Sequence, residues 1–152
     1  MATDQPRRMI VALGEYPQHA DRVARWVWEE WRDSSPFTFE QTRAQLLGEP
    51  DCPATLLAVD GDEPLGVLGF RRHDHPRLGS QLLFVNSLYV VAAARRRGVG
   101  GELVAEAIAR AAAIVRTLHV YTSIASWYEA RGFTCAERDP DSANAVLVHH
   151  CR

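Results

Sequence analysis

The chain has 152 residues, 47% of them apolar and 24% charged, with a formal net charge of −2. Those values describe one ordinary soluble domain with room for a substantial core. They exclude a protein that works by bulk attraction to nucleic acid or to an acidic membrane surface.

Met9–Leu13 is a short apolar run and reads as a first strand. Pro17–Asp33 reads as a helix, because Ala20, Val23, Ala24, Val27 and Trp31 recur at i, i+3, i+4, i+7 and i+11. Thr38–Leu47 is a second helix. Thr38 followed by Gln41 has the form of a capping box, and Gly48 is a natural stop. Ala54–Val59 and Leu65–Arg71 are strands joined through Asp60-Gly61, a strong hairpin signal. Gln81–Val91 is a long strand rich in β-branched and aromatic residues. A third helix runs from Gly100 to about Val115, with Val104, Ile108, Ala111 and Val115 on one face. Thr117–Tyr121 is a strand, and Ser123–Ala130 a short helix ended by Gly132. Phe133–Glu137 and Ala145–His149 are terminal strands. The order β-α-α-β-β-β-α-β-α-β-β predicts one α/β domain over residues 1–152. Its sheet is mixed and mostly antiparallel, and its single βαβ crossover lies around the third helix.

Cys52, Cys135 and Cys151 are widely spaced and odd in number, which argues against a disulfide framework or a zinc knuckle. All 17 basic residues are arginine. The N-terminal stretch lacks the apolar core of a signal peptide, and no apolar run is long enough to span a bilayer. The expectation is a cytoplasmic protein with no membrane and no nucleic-acid partner.

The most informative stretch is Arg95-Arg96-Arg97-Gly98-Val99-Gly100-Gly101, where a strand runs into a Gly-rich turn that opens a helix. The first N–H groups of a helix lack internal partners, and the helix dipole favours an anion there. Glycines let backbone approach a phosphate, and three guanidinium groups add charge-assisted donors. A P-loop would need Gly-Lys-Ser/Thr, and the chain has no lysine. A dinucleotide fingerprint would need a small residue where Leu103 stands. Alone, the same turn is equally a solvated basic loop whose glycines cap a helix.

The wider context narrows this. Arg95, Gly98 and Gly100, directly after a strand carrying Leu88 and Val90, resemble the R/Q-x-x-G-x-G/A acetyl-CoA signature of the GNAT superfamily. Ala125-Ser126-Trp127-Tyr128-Glu129-Ala130-Arg131-Gly132-Phe133 resembles that family's A-x-x-Y-E-x-x-G-F block. Both blocks lie within Leu83–Glu137. Three features depart from the pattern. Ala92 replaces a common proline, Arg96 stands where a glycine is frequent, and an asparagine often found between Thr122 and Tyr128 is absent.

The resemblance implies a GNAT (acyl-CoA N-acyltransferase) fold, a twisted sheet flanked by helices. It implies an acyltransferase that moves an acetyl group from acetyl-CoA to an amine by direct attack, without a covalent enzyme intermediate. Carried over by position, Leu88, Tyr89 and Val90 would meet the pantetheine through their backbones. Arg95, Arg96, Arg97, Gly98, Val99, Gly100 and Gly101 would hold the pyrophosphate, and Ser126 would join the cofactor site.

Tyr128 matches the family's general acid. A thiolate of pKa about 8.5 is served by a donor protonated at neutral pH, and tyrosine at about 10 qualifies. Without the motif, Tyr128 reads as an ordinary packed aromatic. An amine of pKa about 10.4 must also lose a proton before it can attack. Many relatives place a glutamate near Asn86, which can hold a water or bind the acceptor but cannot act as base. Asp74 is the other candidate for that role. His73-Asp74-His75 also invites a metal reading, but successive strand residues point to opposite faces, so no metal is expected. Trp26, off the Ala20/Val23/Val27 face, and Phe37 are candidates to line the acceptor site, with a surface or dimer contact as the bland reading of Trp26. His119, alternating with Leu118 and Val120, reads as a half-buried structural histidine. The acceptor would be a small-molecule amine or a peptide N-terminus, and a homodimer is compatible with the sequence. The alternative is a CoA-binding module with weak or no catalysis, for which the missing strand carboxylate is the clue.

Overall fold

The computed structural model describes residues 8–151. The N-terminal residues read for a leader lie partly outside that range. The elements are β1 (Arg8–Ala12), α1 (Ala20–Trp31), α2 (Phe39–Leu47), β2 (Leu56–Asp60), β3 (Glu63–His75), β4 (Gly79–Val90), α3 (Val99–Ala112), β5 (Thr117–Thr122), α4 (Ala125–Glu129), β6 (Thr134–Arg138) and β7 (Ala145–His150). Seven strands form one sheet in the order β1-β2-β3-β4-β5-β7-β6. Every neighbouring pair is antiparallel except β4 and β5, which the α3 crossover makes parallel.

Local signals account for most of the element ends. Thr38 accepts from the Gln41 N–H at 3.1 Å, and the Gln41 side chain accepts from the Thr38 N–H at 2.9 Å, so the capping box that opens α2 is complete. Asp60 pairs with Glu63 across a two-residue turn in which Gly61 has φ 60°. Most predicted boundaries move by a residue or more. Pro17–His19 is a single 3₁₀ turn rather than the start of α1, because proline sets φ but leaves no N–H for an α-helical ladder. The third helix ends at Ala112, short of Val115. β3 runs to His75, four residues past the predicted Arg71, so His73 and Asp74 belong to the strand. Gly79 rather than Gln81 opens β4.

The sheet is covered on both faces. On one, Val23, Ala24 and Val27 of α1 and Leu46 of α2 pack with Leu57, Val59 and Val67. On the other, Leu103, Val104, Ala107 and Ala111 of α3 pack with Leu56, Leu68, Val85, Leu118 and Val120, and Tyr128 and Phe133 extend this cluster. Full burial of each Val or Leu contributes about 1.5–3 kcal/mol.

One irregularity positions the site. β3 pairs Gly69 with Ser87 and Phe70 with Val85, leaving Asn86 as an extra residue on β4. Such a bulge bends its strand and sharpens the local twist. The parallel ladder from β4 to β5 is confined to Phe84–His119 and Val85–Val120. Beyond those two pairs toward the C-terminal ends the strands part.

Candidate active site

A cleft of about 800 Å³ occupies the gap where β4 and β5 part. Its walls include Val27 from the α1 side of the sheet and Val85, Val120 and Tyr128 from the α3 side, so it joins the two faces. Asn86, Ser87 and Leu88 form the β4 edge, and Tyr121 to Ile124 the opposite edge. Trp28, Trp31 and Phe37 close one end from α1 and the loop before α2, with the Arg71 guanidinium 4.6 Å from the Phe37 ring centre. A second cavity of about 410 Å³ shares His73, Val85, Asn86 and Tyr121 with the first and is lined further by Asp74, His75, Glu137 and Asp139.

Tyr128 is 3% exposed, with Trp127 and Phe133 edge-on at 4.9 and 5.3 Å. Burial pushes its hydroxyl pKa up to about 12, and the Arg131 charge opposes that rise. The group is therefore a fully protonated donor on the cleft wall at neutral pH.

Gly98 caps α3 in the left-handed region at φ 83°, with no side-chain cap on that end of the helix. A Cβ at Gly98 would stand in open space, so the N-terminus of α3 is accessible. Arg96 has φ 64°, which costs a residue with a Cβ on the order of 1–2 kcal/mol. That conformation accounts for the glycine relatives favour at this place. Arg96 and Arg97 are exposed, whereas Arg95 folds back: its Nε donates to the Val90 carbonyl at 2.9 Å, and its guanidinium lies 5.5 Å from the Tyr89 ring centre. The first-turn acid, Glu102, is engaged by Arg8 at 2.6 Å.

Sequence reasoning missed Arg131. Its guanidinium lies 3.7 Å over the Trp127 ring and donates to the Trp127 carbonyl at 2.8 Å. Arg131 Nε and Nη2 stand 3.3 and 3.4 Å from where a Cβ at Gly101 would be. It forms no ion pair among the described residues, so α4 delivers a further cation to the already positive end of α3. The only sequence signal was an arginine in an unconstrained position of the Tyr128 block.

The remaining predicted residues fall in different places. Asn86 and Phe37 line the cleft, but Trp26 does not. Trp26 packs on Tyr89 with ring centres 5.8 Å apart, and Arg22 lies over it. Trp26 packs against the α1-side core, whereas Trp28 and Trp31 line the cleft. Asp74 lies in the second cavity and accepts from the Gln81 N–H at 2.8 Å. Ser126 is exposed on α4. No cluster of three or more His, Cys, Asp or Glu is arranged to hold a metal among the described residues. Among those residues no helix is long and apolar enough to cross a membrane.

A parted parallel strand pair and a buried tyrosine donor share one cleft, and the glycine-opened N-terminus of α3 lies outside its lining. The chain belongs to the acetyltransferase (GNAT) family, whose model matches residues 20–133. A search of curated protein sequences found no match. Among solved structures, it is similar to aminoglycoside 6'-acetyltransferase type Ii at 16% identity and TM-score 0.75, covering 95% of this chain and 97% of that one. It is also similar to the GNAT family N-acetyltransferase YhbS from Escherichia coli in complex with CoA, at 18% identity and TM-score 0.74, covering 100% and 86%. A third similar structure is the NatC complex bound to Gag peptide and CoA, at 19% identity and TM-score 0.71, covering 95% and 98%. At these identities the likeness is one of fold.

Proposed function

We propose that this chain acts as one domain that transfers the acetyl group of acetyl-CoA to the nitrogen of an amine acceptor. The observation that carries the reading is the position of Tyr128, buried in the α3-side core yet on the wall of the gap that the Asn86 bulge opens. When bound, acetyl-CoA supplies an acetyl thioester already activated toward attack. The residues present fit that group. The open N-terminus of α3, at Val99, Gly100 and Gly101, and Arg96, Arg97 and Arg131 are a donor set for a pyrophosphate.

The backbone of Leu88 to Val90 runs along the parted edge of β4. It offers fixed dipoles to the pantetheine amides and to the acyl oxygen. Arg95 already holds the Val90 carbonyl, so it sets the edge rather than the phosphates. Tyr128 donates its hydroxyl to the departing sulfur from the α3 side. The acceptor enters from the α1 side, between Trp28, Trp31 and Phe37 and the strand residues Asn86 and Tyr121.

One similar structure is named for aminoglycosides and another is bound to a peptide. Both kinds of amine therefore belong in the acceptor panel. The test is calorimetry with acetyl-CoA, followed by a thiol-release assay over aminoglycosides, polyamines and short peptides. Binding raises the thermal midpoint, since a ligand at a hundred times its Kd adds about 2.7 kcal/mol. No heat at millimolar acetyl-CoA refutes the reading. Binding without turnover over the whole panel leaves a CoA-binding module.

A further inference from the structure

Direct attack requires a free amine, and an amine of pKa about 10.4 is almost wholly protonated at neutral pH. Of the residues lining the main cleft, Glu30 and His73 carry side chains able to take up a proton there. Glu30 is an exposed residue near the end of α1, on the outer wall. His73 lies on β3 directly beside the bulge, and its Nε2 stands 3.4 Å from the Asn86 Oδ1. It is the histidine shared by both cavities, half-buried, with its ring held edge-on to Phe84 at 5.3 Å.

We propose that His73 is the general base of this enzyme, taking the acceptor's proton through a water held by Asn86. The inference rests on the acetyl-transfer reading. Asn86 cannot ionise, but its carbonyl oxygen can orient a water between the ammonium and the imidazole. The base lies on the acceptor side of the sheet and the Tyr128 hydroxyl on the other, so the proton is removed on one side of the reacting carbon and the leaving sulfur is stabilised on the other.

The balance closes. His73 accepts one proton from the ammonium, and the lone pair so freed forms the C–N bond while the C–S bond breaks. Tyr128 donates a hydrogen bond to the departing thiolate. The second nitrogen proton leaves to solvent, the thiolate takes its proton from solvent, and His73 returns its proton to solvent. One proton is released per turnover.

Several charged and titratable groups stand near His73. On its own strand stand Arg71, Arg72, Asp74 and His75. β4 presents Gln81 and Asn86, and β5 presents Tyr121. Across the second cavity are Glu137, tied to Arg77, and Asp139, which accepts from the Tyr121 hydroxyl at 2.5 Å and the Ser142 hydroxyl at 3.2 Å. Arg71 is drawn to Phe37, and Glu49 lies 3.9 Å from it.

The test uses the full chain, acetyl-CoA and two probe acceptors of similar size. Ethylamine is protonated at neutral pH, and 2,2,2-trifluoroethylamine is largely free base. His73→Gln should lower kcat/KM for ethylamine about a hundredfold, in the ordinary range for general-base catalysis, and for trifluoroethylamine less than threefold. The acidic limb of the ethylamine pH–rate profile should vanish in the variant. Acetyl-CoA binding by calorimetry should stay unchanged. Equal losses with both amines overturn the proposal, as does a retained acidic limb. Loss of that limb in Glu30→Gln but not in His73→Gln assigns the proton to Glu30 instead. If neither wild type nor variant binds acetyl-CoA, the acetyl-transfer reading fails. If both bind it and the wild type turns over neither amine, the base assignment falls alone.

Discussion

Replacing Tyr128 with phenylalanine removes one hydroxyl and keeps the ring that Trp127 and Phe133 hold edge-on. The fold should therefore survive. The size of the kinetic loss follows from burial. A phenol raised to about 12 facing a thiolate of about 8.5 would give up its proton at a cost on the order of 5 kcal/mol. Full transfer before the C–S bond breaks is thus disfavoured. The hydroxyl acts mainly as a charge-assisted hydrogen bond to the forming thiolate, worth about 1.5–3 kcal/mol. Tyr128→Phe should lower kcat and kcat/KM together by about 10- to 150-fold and leave acetyl-CoA affinity unchanged. The alkaline side of the wild-type rate profile should carry no tyrosine limb below about pH 11, since the group titrates near 12. The same shift appears in stability. The folded-state pKa lies above the unfolded value of about 10, so its contribution is whole below pH 10. It declines as pH rises toward 12, by on the order of 3 kcal/mol at most. Urea midpoints at pH 9 and 11 should converge in the variant relative to wild type. A variant that keeps more than half the wild-type kcat, with chemistry shown to limit turnover, would reduce Tyr128 to packing.

Three further expectations concern other parts of the chain. A Cβ at Gly100 already stands 3.4 Å from Trp127, so the γ carbons of Gly100→Val crowd the α3–α4 gap and should weaken acetyl-CoA at least about tenfold, near 1.4 kcal/mol; Arg131→Gln should weaken it about fivefold and flatten its salt dependence. Unchanged calorimetric affinity in both variants would place the phosphates elsewhere. Burial lowers the pKa of His119 and of His149, whose Nδ1 atoms lack partners among the described residues. The unfolded chain then binds protons that the fold refuses below about pH 6.5, so stability should fall as pH drops from 7.5 to 5.5. His119→Leu should narrow that difference in urea midpoint, and equal wild-type midpoints at the two pH values would contradict the argument.

The elements that were legible in the sequence had local causes. Thr38 and Gln41 close a capping box, Gly61 turns a hairpin, and the arginine- and glycine-rich turn opens α3 as expected. What was hidden depends on partners distant in the chain. Nothing around Asn86 marks a bulge, because the extra residue exists only relative to Gly69 and Phe70 on the facing strand. Trp26 was expected to line the acceptor site, yet its neighbour is Tyr89, sixty-odd positions away, and Trp28 and Trp31 line the gap. Arg131 reaches Gly101 only through the packing of α4 on α3. His73 was read beyond the end of its strand, and the longer β3 is what sets it beside the bulge.

The two halves of the sheet share just the rungs Phe84–His119 and Val85–Val120. In the proposed complex, the pantetheine arm would act as a short borrowed strand, supplying amides where the protein omits its own ladder. Recognition written in main-chain groups leaves no letter in the sequence. Leu88, Tyr89 and Val90 are then free to drift so long as the strand stays parted. Their side chains answer to the two cores behind them, while the ligand reads a backbone that any residue but proline can provide.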